Sequence, residues 1–203
     1  VLENGKLSAK KNAGVIGDIG ISKKAEGEFG NDNTSFDGTI FADTSAELKG
    51  DNKISPSGGF VTSGVNSQLD QANVDASEMQ AFIEGLTATE SYGKFQKNDF
   101  GYDTVNDLTI LDFKEINMES GNTFSLSGRA GQMDRVIIRI DDEIVLEGAE
   151  VLLSNLKTED VIWYLDGKSD FDLHKGDSAF EGVIFAPEGK VILGEVDFTG
   201  SVI

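Results

Sequence analysis

The run Asp166-Gly167-Lys168-Ser169-Asp170-Phe171-Asp172 is the stretch of this chain best supplied with oxygen ligands. Asp166, Asp170 and Asp172 could offer carboxylates to calcium, a hard cation that takes about six to eight oxygens. Their spacing is not that of an EF-hand loop, whose ligands alternate before a glycine. With Phe171 and Leu173 pointing inward, Asp170 and Asp172 would simply alternate outward into solvent. The three aspartates are thus a weak calcium candidate, and no metal site is expected. His174 is the lone histidine and there is no cysteine, so zinc has no ligand set. No serine or cysteine nucleophile motif accompanies it. The three arginines, Arg129, Arg135 and Arg139, fall within one short segment, apart from the aspartate run that a calcium-dependent lyase would need beside its base. A glycosidase needs two carboxylates about 5–10 Å apart in a cleft. With 36 acidic residues some pair will meet that distance by chance, and nothing in the sequence marks a cleft. No catalytic residue and no cofactor is expected, and a calcium-dependent polysaccharide-active enzyme ranks third among the readings.

What these side chains hang from is more informative. The chain has 203 residues, 38% of them apolar, with 24 glycines and 2 prolines, which suits a fold of many tight corners. Its net charge of −19 repels phosphate backbones and anionic lipid, so no nucleic-acid partner is expected. The acids are interspersed, 15 in residues 1–100 and 21 in 101–203, as on a solvated outer surface. Absence of cysteine leaves the redox compartment undecided. There is no signal-type apolar core and no apolar run long enough to span a bilayer, so this segment is not expected to insert into a membrane. A soluble domain cut from a longer precursor fits these features.

Two phrases, FDGTIFA (36–42) and FEGVIFA (180–186), agree at five of seven positions although they lie near opposite ends of the chain. Phe180, Gly182 and Ile184 return in the same spacing as Phe198, Gly200 and Val202. Apolar runs begin at Val136, Val161 and Val183, each trailed by a second short apolar run. Regular periods of about 20 residues, each carrying two or more short strands, are what a solenoid requires. Phe36, Gly38, Ile40, Phe180, Gly182 and Ile184 would then form one structural rung. Inward ladders are expected to include Ile137, Ile162, Ile184 and Val202. In VIWYL (161–165) alternation sends Trp163 and Tyr164 to opposite sides, and Trp163 is expected in the wall. Arg139, Glu143, Glu147, Asp166, Asp172, His174, Glu181 and Lys190 are expected outward.

The middle of the chain breaks this pattern. Leu69, Ala72, Ala76, Met79, Phe82, Ile83 and Leu86 recur at helical spacing, which predicts an amphipathic helix over about 67–89 with Ser67 as N-cap. A helix that long with one apolar stripe needs a flat apolar wall to lie on. The expected architecture is mainly β, a parallel β-solenoid with one long α-helix packed alongside, forming one domain over 1–203.

GDIGIS (17–22), the helix that comes after it, VIW (161–163) and GVIFAP (182–187) together resemble two related groups. One is the microbial ice-binding-protein fold; the other is the choice-of-anchor A domain of bacterial surface proteins. The resemblance implies a right-handed β-helix with N-terminal and final coils side by side, and an extracellular or cell-surface location. Ice-binding faces of this fold are flat and rich in outward Thr, Ser and Ala, whereas here 11 threonines are scattered and outward positions are charged. Charges hold their own hydration shells, which opposes an ordered water array. The favoured reading is a non-catalytic adhesive or structural domain of a microbial surface or secreted protein. It would present outward side-chain ladders to an unknown ligand, whether protein, glycan or ice. An ice-binding (antifreeze) protein is the alternative.

Overall fold

A computed structural model describes all residues except 1–5, 10–11, 24, 31–33, 51–53 and 168–169, and only the backbone of residues 174 and 175. The first strands are β1 (Lys6–Ala9), β2 (Gly14–Ile16), β3 (Ile19–Ile21), β4 (Glu26–Phe29), β5 (Ser35–Asp37), β6 (Ile40–Ala42), β7 (Glu47–Lys49) and β8 (Phe60–Val61). Helix α1 (Asn66–Glu84) follows, then β9 (Glu90–Gln96), β10 (Phe100–Asp103), β11 (Leu108–Met118), β12 (Thr123–Ser127), β13 (Arg135–Ile140), β14 (Ile144–Glu147) and β15 (Glu150–Ser154). A 3₁₀ turn at Thr158–Asp160 precedes β16 (Val161–Leu165), β17 (Asp170–Lys175), β18 (Ser178–Phe185), β19 (Lys190–Leu193) and β20 (Val196–Val202). All of these strands join one sheet, and their pairings are parallel. The chain is a β-helix.

The coils do not stack in sequence order. From β9 the chain climbs coil by coil to β20. The N-terminal coil then sits on the C-terminal one: β1 pairs with β19, and β2 pairs with β20. Strands β2 to β8 continue the climb, and α1 returns down the outside to the start of β9. This explains the repeated phrase. Phe180, Phe198, Val15 and Phe36 are successive neighbours in one inward column. Ile184, Val202, Ile19 and Ile40 form another. Phe36 and Phe180 therefore stand three coils apart in the same column.

Between those columns runs a ladder of glycines at a corner. Gly182, Gly200 and Gly17 have φ of 143°, 151° and 137°. A Cβ on Gly17 would lie 2.1 Å from the Gly200 carbonyl oxygen, and one on Gly200 would lie 1.9 Å from that of Gly182. The corner closes only because neither residue has a side chain.

The interior is apolar and aromatic. Phe100 stacks on Phe124 with centroids 4.4 Å apart, and Phe180 on Phe198 at 5.7 Å. Trp163 is fully buried between them, 4.9 Å from Phe124 and 5.1 Å from Phe180. Such pairs contribute about 0.5–1.5 kcal/mol each beyond the area they bury.

Two expectations are corrected here. Ile137 and Ile162 are not inward: they pair with each other and with Val183, in a column that faces α1. The inward ladder is Ile138, Trp163, Ile184 and Val202. This wall is buried on both sides, so its strands are continuous apolar runs in which alternation gives no phase. The helix begins at Asn66 behind Val65, with no side-chain cap, so Ser67 is inside it, and it ends at Glu84. Phe82, expected in its apolar stripe, is exposed, because it stands about 100° round the helix from the buried Ile83. At about 1.5 Å per residue it is about 28 Å long, the height of about six coils. Thr89, beyond its end, donates no helical bond; its hydroxyl accepts the Ile110 N–H at 3.0 Å.

Candidate binding faces

Each coil has three sides, so the stack has three walls. The first comprises β13, β16 and the strands above and below them, and α1 covers it. Ile110, Ile137, Tyr164 and Phe185 pack there against Ala76 and Ile83. Arg139 holds the end of the helix. Its guanidinium donates to both oxygens of Asp112 at 2.6 and 2.7 Å, and to the Ile83 and Leu86 carbonyls at 3.0 and 2.9 Å. A cation over the last carbonyls of a helix satisfies acceptors that have no intrahelical partner. Tyr164, fully buried, donates to Glu84 at 2.7 Å, and burial together with that carboxylate holds its phenol well above the usual range. The expectation that Arg139 faces solvent is corrected: α1 covers it, through contacts with Ile83 and Leu86 so distant in sequence that local pattern does not encode them.

The second wall, formed by the end of β11 with β14, β17, β19, β1, β4 and β7, carries a column of charge beside a mixed one in which Asn117, Val145, Asp172 and Ile192 succeed one another. One outward column places Asp170, Lys190, Lys6, Glu26 and Glu47 in successive coils. Lys6 Nζ lies 2.9 Å from Glu28 and 3.1 Å from Glu26. Lys49 lies 2.8 Å from Glu26 and 3.1 Å from Glu47, and Lys190 lies 3.6 Å from Asp170. Lower down, Glu115 accepts from Lys94 and from Gln96. Hydrogen bonds from Lys49 and Lys6 hold the Glu26 carboxyl below its ordinary range, as Lys94 and Gln96 do for Glu115.

The third wall runs through β10, β12, β15, β18, β20, β2 and β5. Its outward columns mix residue types: Glu181, Thr199, Ile16 and Asp37 succeed one another in one, Asp197, Gly14 and Ser35 in the next. Thr123 and Thr199 are its only strand threonines among the described residues, and they occupy different columns. At Gly14 the missing side chain leaves a shallow groove of about 400 Å³ between Asp197 and Ser35.

The aspartates of the oxygen-rich run do not converge. Asp170 and Asp172 alternate outward with Phe171 and Leu173, both fully buried, and Asp170 is paired with Lys190. Asp166 sits at the preceding corner, 3.4 Å from the Tyr164 hydroxyl. Among the described residues no group of three His, Cys, Asp or Glu side chains could hold a metal. The His174 side chain lies outside the described residues. Arg129 is turned into a corner with Asp134 and Asp107, away from the aspartate run. No helix among the described residues is long and apolar enough to cross a membrane.

Comparison with known proteins bears on this arrangement. A family model described as "Putative Ice-binding-like adhesive domain" matches residues 1–203. The chain is similar to the crystal structure of an ice-binding protein from an Antarctic ascomycete, Antarctomyces psychrotrophicus. Identity is 13%, the TM-score is 0.62, and the match covers 99% of this chain and 89% of that one. It is also similar to an ice-binding protein from an Antarctic biological consortium, with 12% identity, a TM-score of 0.53, and coverage of 98% and 87%. At such identity the likeness is one of fold. No curated protein sequence matches the chain.

Proposed function

The chain belongs to the ice-binding-like adhesive domain family, and on that premise we propose that it is a non-catalytic extracellular adhesive domain that holds its partner through outward side chains. The observation that carries this reading is the outward chemistry of the two open walls. One carries a column of ion-paired side chains in successive coils. The other mixes acids, hydroxyls and aliphatics within its columns and has no ladder of one type among the described residues. A surface that orders water into a lattice needs evenly spaced groups that bind water weakly and alike. Paired carboxylates and ammoniums instead each hold a tight shell of their own. Such walls suit direct contact with a polar surface, with charge setting specificity.

Ice binding is the second reading, favoured by the fold shared with the two Antarctic proteins. The two readings separate in thermal-hysteresis and ice-recrystallisation assays at micromolar protein. The adhesive reading expects no hysteresis and round ice crystals, together with retention on arrayed glycans or matrix proteins. Faceted crystals would replace it with ice binding, and silence across every arrayed surface would count against adhesion.

A further inference from the structure

The corner joining the third wall to the helix wall is made in two ways. In the upper coils glycine turns the chain in place, as at Gly182, Gly200 and Gly17. In three lower coils the same corner widens into loops, residues 104–107, 128–134 and 155–160. These loops are clamped together. Asp134, its side chain fully buried, accepts from the Arg129 backbone N–H at 2.7 Å, from the Arg129 guanidinium at 2.6 Å and from the Thr104 hydroxyl. The same guanidinium reaches Asp107 in the loop below, and Asn155 in the loop above donates to the Gly128 carbonyl at 3.2 Å. The middle loop is thus braced from both sides, yet it holds Met133 90% exposed.

Beside Met133 a groove of about 450 Å³ runs between the loops and the C-terminal half of α1. Its floor is Leu108, Ile137 and Ile162, and Phe82 of α1, 59% exposed, forms the opposite wall. Of the seven large apolar side chains exposed among the described residues, Phe82, Leu108 and Met133 line this groove, and Val105 lies in the lowest of its loops. Scattered apolar residues need no account, but a contiguous set on a braced frame marks a contact surface. The rim is acidic: Asp107, Glu159 and Asp160 line the loop side, and Glu78 stands one helical turn before Phe82. Asp107 shares the Arg129 guanidinium with Asp134, and Glu159 lies 3.7 Å from Lys157, so the rim charge that no ion pair among the described residues offsets is that of Asp160 and Glu78, with Arg135 as the cation lining the groove. The chain as a whole carries −19, which draws in positive partners.

We propose that this groove is a docking site for a basic segment of another protein, which inserts a bulky apolar side chain between Met133 and Phe82 while its lysines or arginines meet the acidic rim. The proposal rests on the adhesive reading and names a partner for it. Arg135 is available to donate to backbone carbonyls of the inserted segment.

The test is fluorescence anisotropy with short labelled synthetic peptides: one with a Leu-Phe centre and lysine flanks, one with an Ala-Ala centre and lysine flanks, and one with a Leu-Phe centre and glutamate flanks. The first peptide is expected to bind, more weakly as salt rises, and the other two at least about tenfold more weakly. Met133→Asp and Phe82→Ser should each weaken the first peptide by at least about tenfold without changing the melting temperature, since both side chains face solvent. The proposal is overturned if no peptide binds, if the acidic peptide binds as well as the basic one, or if both variants bind like the parent. Sedimentation showing a dimer that Met133→Asp dissolves would also overturn it, assigning the groove to a second copy. Parallel runs on arrayed glycans and matrix proteins keep the two readings apart. Surface adhesion that survives without peptide binding sinks the groove alone, whereas peptide binding without any surface adhesion supports the groove and sinks the broader reading.

Discussion

Replacing Gly17 by alanine probes the seam where the N-terminal coil rests on the C-terminal one. The new Cβ would stand 2.1 Å from the Gly200 carbonyl oxygen, and ordinary contacts of this kind begin at 3.4 Å, so the coils must part locally. The bonds that resist this are those of the seam itself, the ladder of β2 against β20 and the pairing of Ile19 with Val202. Losing two or three of them costs about 1 kcal/mol each. Holding alanine at a φ of 137° adds about 1–3 kcal/mol. The expected loss is about 3–6 kcal/mol, a large share of the about 5–15 kcal/mol that keeps a typical domain folded. Gly93→Ala is the control, because a Cβ there meets nothing within 4 Å. Urea titrations followed by far-ultraviolet circular dichroism should show a sharply lower midpoint for Gly17→Ala and a shift of at most about 0.5 kcal/mol for Gly93→Ala. Equal midpoints for Gly17→Ala and the parent would refute the stacked-glycine seam, and with it the side-by-side placement of the chain's two ends.

Arg139→Met removes the clamp on the end of α1 and leaves Asp112 without its guanidinium. A loss of about 2–3 kcal/mol is expected, with faster amide exchange at the C-terminal turn of α1, and unchanged exchange there would contradict the clamp. Tyr164→Phe keeps the ring packing but deletes the donor to Glu84, for a loss of about 1 kcal/mol in the same titration; a neutral result would mean the bond adds nothing. Phe198→Ala opens the aromatic column beneath the seam and should cost about 3–5 kcal/mol by chemical denaturation, whereas a cost below about 1 kcal/mol would place Phe198 outside a packed interior. The Asp134 carboxyl is held well below its usual range, chiefly by the Arg129 guanidinium and then by the Thr104 hydroxyl. Its stabilisation is therefore present above the ordinary carboxylate range and disappears as pH falls through the depressed folded value. Asp134→Asn should melt earlier than the parent near neutrality, and the gap should close in strong acid; a gap independent of pH would mean that charge is not what braces the loop.

Much of the architecture was legible before any coordinates. The repeat Phe-x-Gly-x-Ile is readable because the upper coils need the same three things at one corner: a large apolar residue inside, a residue without a side chain where backbones nearly touch, and a branched residue inside again. The helix is readable because its apolar stripe has its own period. The phase of the doubly buried wall is another matter. In Val136–Ile140 and Val161–Leu165 both sides are dry, so nothing in the residue types says that Ile137 faces the helix while Ile138 faces the interior.

Sequence alone settled that this chain coils and that one rod lies along the coils, since periodicity is a local property that burial imprints on every turn. The family resemblance implied that the two ends lie side by side, and tertiary structure alone decided in which register the coils meet and what they display. The order in which the N-terminal coil caps the C-terminal one depends on pairing between residues at opposite ends of the chain, as does the column joining Phe36 to Phe180. The groove at Met133 depends on a helix and three loops drawn from separate parts of the chain. Contacts of that kind leave no pattern in a linear string, because the side chains that make them are chosen by partners that only folding brings near.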